Sequence, residues 1–234
     1  MCLKHLLQLK ERHLSKKIEF LRENPDLDIL APGPASKFIP EWYKAIPMVG
    51  EDKIITVKTC IPFLDGMTAG YMVPVPCDIE FTGEEWRHNS ILSKPVSSHT
   101  KYQVTNAEID EDLDGEHPWK FNSSFRIKTP KGYSTLFTHP INRTDLPFKS
   151  LTAVVDTDVH PVVVNYPFLL KKGWTGIIEA GTPMIQCIPF KREDWEMEVR
   201  DSKKGEMQHN EAYRILNPPF GVYKKNWWQR KSYK

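Results

Sequence analysis

Between residues 121 and 189 the chain repeats one pattern, an apolar run of five to eight residues followed by a cluster of Pro, Gly, Asn or Asp. Residues 121–128, 133–138, 151–155, 160–166, 175–180 and 184–189 are the runs. Each is long enough for a strand and too short for a helix, and the punctuation between them is turn chemistry. Strands this closely spaced fit an all-β sandwich or barrel. A parallel nucleotide-binding sheet needs long helices between its strands, and no such alternation exists here. Upstream, Ile55, Val57 and Thr59 continue the period of two in residues 53–59, and Val73, Val75 and Ile79 do so in residues 71–81, where Pro74 and Pro76 suit an edge or a strand end. Residues 84–120 are less regular. Their acidic run, Glu108, Asp110, Glu111, Asp112, Asp114 and Glu116, reads as a solvated loop. Asp110-x-Asp112-x-Asp114-Gly115 imitates the start of a calcium loop, but the twelfth position is Phe121 and cannot ligate.

The two ends of the chain differ from this middle. In residues 3–24, Leu3, Leu7, Leu14, Ile18 and Leu21 fall on a helical spacing that Asn24-Pro25 closes, so one amphipathic helix is expected. Residues 25–50 form a connector with five prolines and with Phe38, Ile39, Trp42 and Tyr43, the composition of an arm pressed onto a surface rather than a flexible linker. Residues 192–200 and 206–216 read as short helices, and the chain ends in a basic, aromatic tail. The organisation expected is therefore an N-terminal helix and Pro-rich arm over 1–50, a β-sandwich core over 51–190, and a helical extension with its tail over 191–234.

Location and chemistry are bounded by a few absences. Lys4, His5, Lys10, Glu11 and Arg12 interrupt the leucines of the N-terminus, so a signal peptide is not expected there. No apolar stretch reaches the ~18 residues that span a bilayer. Cys60, Cys77 and Cys187 lie in apolar runs, and with Cys2 they form no CxxC pair, which suits buried thiols in a reducing compartment. A cytoplasmic protein without membrane partners is expected. The formal charge of +2 is too balanced to demand nucleic acid by itself.

The segment from Pro130 to Phe190 carries the most suggestive order of motifs: Pro130-Lys131-Gly132-Tyr133, then Val154-Val155-Asp156-Thr157-Asp158, then Gly181-Thr182-Pro183-Met184-Ile185-Gln186, with Ala69-Gly70-Tyr71 upstream. In this order they resemble the dUTPase and dCTP deaminase superfamily of trimeric β-clip, or jelly-roll, proteins. The resemblance covers about half of the chain. It implies a β-clip-like sandwich and a trimer, with Asp156 as the base that activates water, Asp158 beside it, Gln186 orienting the pocket, and Mg²⁺ held chiefly by substrate phosphates. The chain departs from the family at Met72, where an Asp belongs, at Pro140 and Ile141, where an Arg-Ser pair belongs, and at Val159, where a Tyr belongs. A Gly-rich C-terminal phosphate motif is also missing, so the resemblance supports the fold more than the reaction.

Other candidates compete with that site. For Asp156 and Asp158 the plainer expectation is a strand-end turn whose carboxylates cap backbone N–H groups. His139 and His160 with the same two aspartates could make a cupin-like oxygenase centre, although the usual His-x-Asp spacing is lacking. No Gly-x-Ser-x-Gly elbow offers a nucleophile. In the tail, Lys224, Lys225, Arg230 and Lys231 interleave with Trp227 and Trp228, as in a single-strand nucleic-acid platform or an arm docking on a neighbouring subunit. Arg143 joins them as a binding candidate. The function expected is thus a non-catalytic assembly or binding protein with clasping termini, oligomeric and without a resident cofactor. Its general character resembles that of bacteriophage proteins, in the host cytoplasm or the virion. The alternatives are a dUTPase-like nucleotide pyrophosphatase and a metal-dependent oxygenase.

Overall fold

A computed structural model describes residues 16–25, 29–89, 94–100, 110–203, 223–224 and 227–234. The chain is mainly β, with several antiparallel sheets consistent with a β-sandwich. The largest sheet has five strands in the order β11-β9-β14-β3-β2, namely Ala153–Val155 (β11), Tyr133–Thr138 (β9), Pro183–Lys191 (β14), Tyr71–Pro74 (β3) and Gly33–Pro34 (β2). A second sheet orders Phe148–Ser150 (β10), Tyr166–Leu170 (β12), Trp119–Phe121 (β7) and Val96–Ser98 (β6). Gly176–Ile178 (β13), Ile79–Phe81 (β4) and Trp86–His88 (β5) make a third, and Glu19–Arg22 (β1) pairs with Phe125–Lys128 (β8).

One core joins these sheets. Phe121, Phe148 and Phe168 are buried and meet ring to ring, with centroids 4.0 Å apart for Phe121 and Phe168 and 5.3 Å for Phe121 and Phe148. Phe137 of β9 meets Tyr166 of β12 at 5.6 Å, which ties the first sheet to the second. Ser150 on β10 donates from Oγ to the Met184 carbonyl on β14 at 2.7 Å across the same gap. Each ring taken from water contributes about 2–3 kcal/mol, so this aromatic layer is the main force closing the two sheets on each other.

Strand β9 spans the residues that the alternation indicates, and β11, β13 and β14 fall within or over their expected runs. Elsewhere the structure departs from expectation. Residues 19–22 are a strand, not the end of a helix, because pairing with β8 satisfies their backbone and brings Phe20 against the core. The rest of that expected helix, residues 3–15, lies outside the described residues. Thr59 and Val57 belong to a 3-10 turn, Val57–Thr59, which leads into a helix, Ile61–Thr68. A shorter helix, Glu41–Ala45 (α1), precedes it in the Pro-rich arm, so Ile61–Thr68 is α2. Pro62 suits the first turn of α2, whose N–H groups have no intrahelical acceptor. Residues 160–165 carry no strand. Val162 is exposed, and the pairing begins only at Tyr166, where alternate residues can enter the core. Residues 192–203 carry no helix, since nothing in the described residues covers an apolar face there, and 206–216 lie outside the described residues.

Candidate functional site

Strand β11 ends at Val155, and the chain turns at once: the N–H groups of Val159 and His160 both donate to the Asp156 carbonyl, at 3.0 and 2.9 Å. Thr157 is buried beneath the turn, where its hydroxyl lies 2.8 Å from those of Thr129 and Thr135. This hydroxyl triad sets the turn against β9 and leaves the flanking aspartates to point elsewhere. Asp158 accepts from the Gly132 N–H at 2.8 Å and from both terminal nitrogens of Arg192, at 2.9 and 2.6 Å. Asp156 accepts from Ser134 Oγ at 2.6 Å and from Arg192 at 3.1 Å. Arg192 also reaches the Tyr133 carbonyl at 3.2 Å.

The electrostatics follow from that fork. The guanidinium, helped by the Gly132 N–H, holds the Asp158 carboxyl down to about 2, and the partial burial of the group opposes the shift only in part. A carboxylate so strongly acidified is a poor proton acceptor near neutral pH. Asp158 is therefore built as an anchor, and its side chain is only 3% exposed, whereas that of Asp156 is 57% exposed. Asp156 and Asp158 share Arg192; both oxygens of Asp158 are bonded within the chain, whereas Asp156 is bonded through Oδ1 and otherwise faces solvent. Arg192 was not legible as their partner, because it lies 34 residues beyond Asp158 and inside a segment that reads as helical.

Gln186 sits at the centre of the five-stranded sheet and is fully buried. Its Oε1 accepts from the Ile141 N–H at 2.9 Å, and its Nε2 donates to the carbonyls of Gly66 and Ala69 at 2.9 and 2.7 Å. Both amide protons and one oxygen lone pair are thus taken up by backbone. Gly70 continues this joint. Its φ is +68°, and a Cβ there would stand 2.1 Å from the Cys187 carbonyl oxygen, so only glycine lets the chain pass from α2 into β3 so close to β14.

Arg143 forms a two-pronged pair with Asp145, with Nε at 2.8 Å and Nη2 at 2.8 Å, and reaches the Phe38 carbonyl at 3.4 Å. Its side chain is 11% exposed, so the cation fastens the Pro-rich arm rather than facing solvent. His139 accepts at Nδ1 from the Ser150 N–H at 3.2 Å and lies 3.0 Å by Nε2 from the Arg143 carbonyl, which fixes the neutral ring with its proton on Nε2. Burial lowers its pKa in agreement with that tautomer. His160 binds the Val162 carbonyl through Nδ1 at 2.9 Å. Among the described residues no group of three or more His, Cys, Asp or Glu stands close enough to hold a metal ion. No helix among them is long and apolar enough to cross a membrane. Cys187 is buried and Cys77 half-buried, while Cys60 is exposed at the entry to α2, contrary to its expected place in a core strand.

The C-terminal tail folds back on its own chain. Trp228 Nε1 and Lys231 Nζ both donate to Asp65 Oδ2 on α2, at 2.8 and 2.6 Å, and the Lys231 ammonium lies 5.8 Å from the Trp228 ring. Tyr233 stands edge-on to Tyr71 at 5.9 Å. Arg230 is exposed and, with Ser36 and Asp65, lines a cavity of about 320 Å³ under the tail. Trp227 and Lys224 are exposed, and Lys225 lies outside the described residues. Between the two anchorages, residues 194–203 are exposed throughout. Trp195, Met197 and Val199 are 86%, 91% and 87% exposed and alternate with Glu196 and Glu198. Comparison with family models, curated proteins and solved structures finds no match for this chain.

Proposed function

We propose that the protein is a non-catalytic assembly or binding protein that joins copies of itself through the segment following β14. One observation carries the reading: three large apolar side chains in five residues, Trp195, Met197 and Val199, stand almost wholly in water. A cluster of such side chains marks a contact segment, since its exposure opposes solubility and its burial favours association. Alternation with Glu196 and Glu198 suits addition to a sheet edge, where one face of the added strand packs and the other stays wet. A second copy offers such an edge in β11, whose Val154 is 58% exposed.

Two of the three candidate catalytic residues support the same reading, because Asp158 and Gln186 are committed to intrachain bonds, while Asp156 remains more than half exposed. A trimer, a bacteriophage source and a place in the host cytoplasm or a virion belong to the proposal on the β-clip resemblance and the general character of the chain alone. Sedimentation equilibrium of the full chain tests the contact. The wild type should exceed the 27.2 kDa of one chain, and replacing Trp195, Met197 and Val199 together by Glu should return it to that mass. Deleting residues 223–234, which lie on their own chain, should leave the larger mass in place. A wild type that stays monomeric at all concentrations, or a triple variant that keeps the assembly, overturns the reading. A dUTPase-like activity is tested separately with deoxynucleoside triphosphates and Mg²⁺; turnover abolished in Asp156→Asn would replace the non-catalytic reading with the enzymatic one.

A further inference from the structure

Three turns at one end of the molecule enclose a cavity of about 330 Å³ that the assembly segment does not touch. β4 and its turn into β5 supply Phe81 and Glu84, the loop before β7 and its first residue supply Asp114, His117 and Trp119, and the turn after β12 supplies Trp174. The walls are fixed before any ligand arrives. The Asp114 N–H donates to the Leu170 carbonyl at 2.8 Å, the Lys172 N–H to the Asp112 carbonyl at 2.8 Å, and the Trp174 N–H to the Lys171 carbonyl at 3.1 Å. Phe81 and Trp119 meet at 67° with centroids 5.7 Å apart, and Trp86 locks both from behind. Glycine at positions 83 and 173, with φ of +106° and +69°, lets two of the turns bend this tightly.

The polar groups at its walls are chiefly acceptors. Asp114 and Glu84 bring carboxylates, and Asp114 also holds His117 through Nδ1 at 3.2 Å, leaving Nε2 as the ring's second hydrogen-bonding atom. The indole nitrogen of Trp119 is itself buried, so this residue offers the cavity ring surface rather than a donor. We infer that this cavity binds a neutral sugar ring, its C–H face against Trp119 and Trp174 and its hydroxyls on Asp114 and Glu84. Each hydroxyl carries a proton that a carboxylate can accept. A phosphorylated ligand would meet two carboxylates, while the one lysine at the rim, Lys171, already donates to the Thr144 carbonyl at 2.9 Å. A quaternary ammonium would stack on the rings but has no N–H to donate to Asp114 and Glu84. The volume lies at the lower end of the range for small-ligand pockets, roughly 300–1,000 Å³, which fits one or two rings.

Tryptophan fluorescence and calorimetry on the full chain provide the test. The probes are glucose, galactose, mannose, N-acetylglucosamine, maltose, cellobiose and lactose, with choline and ATP as comparators. At least one sugar should bind saturably below ~20 mM, as expected for a small neutral ligand in a preformed site. Trp174→Ala and Asp114→Asn should each weaken it about 10-fold, the loss of one stacking or charge-assisted contact, with unchanged melting temperature. Absence of saturable binding by every sugar, binding of choline or ATP in their place, or sugar binding indifferent to both Trp174→Ala and Asp114→Asn overturns the inference.

Discussion

Helix α2 is held from two sides, and the two grips are made of different physics. From beneath, Gln186, itself fully buried, takes the carbonyls of half-buried Gly66 and Ala69. From outside, the tail takes Asp65 through Lys231 and Trp228, with the Lys231 side chain 47% exposed and that of Asp65 22% exposed. The inner grip is neutral and short, and breaking it leaves half-buried backbone groups without the partner that Gln186 supplies. The outer grip has water as a competitor for every bond. Hydrogen bonds of similar length therefore differ in what they hold: the inner set fixes the fold, and the outer set fixes only where the tail lies.

The comparison breaks or sharpens under substitution. Gln186→Leu should have the largest effect, about 3–5 kcal/mol in denaturant unfolding, because it keeps the volume, orphans the Ile141 N–H and the Ala69 carbonyl, and leaves the Gly66 carbonyl only the Ala69 N–H at 3.4 Å. A loss below about 1 kcal/mol would place Gln186 among the wet contacts. Gly70→Ala comes next at about 3 kcal/mol, the cost of a left-handed φ on alanine added to a displacement of β14 at Cys187. The Asp158 pair is intermediate and shows itself through pH. Its folded pKa, about 2, lies below the ordinary 3.8, so its stabilisation is complete above about pH 4 and is lost as the pH falls towards 2. Melting temperature should drop through that window, and Asp158→Asn should be less stable at neutral pH and flatter below pH 4. The smallest effect belongs to Asp65→Asn, at most about 1 kcal/mol, yet it should release the tail to proteolysis near Arg230 and shift the emission of Trp228.

What the sequence disclosed follows the same division between local and distant causes. β9 is legible because its alternation and its flanking Gly132 act over six residues. Residues 19–22 carry a helical spacing and still form a strand, since the unpaired edge of β8 outweighs a local propensity of a few tenths of a kcal/mol per residue. The valines at 162–164 invite a strand but pair with no strand among the described residues, and Val162 remains in solvent. Residues 192–200 have helix-forming composition, but an isolated segment of that length is marginal in water, and Arg192 is spent on the Asp158 turn. At the sites, the aspartate turn was legible from Asp156-Thr157-Asp158 alone. Its cation was not, nor was the cavity, whose walls come from residues 81–84, 114–119 and 170–175.

The position of β14 has a consequence for the order of events during synthesis. It is the last strand among the described residues, yet it lies between β9 and β3 in the middle of the five-stranded sheet. Until residue 191 has left the ribosome, β11 and β9 on one side and β3 and β2 on the other have no common neighbour, and two half-sheets with open inner edges must wait. Release of that one strand closes both edges together, so the nascent chain is most exposed to mispairing just before its translation reaches the end of β14.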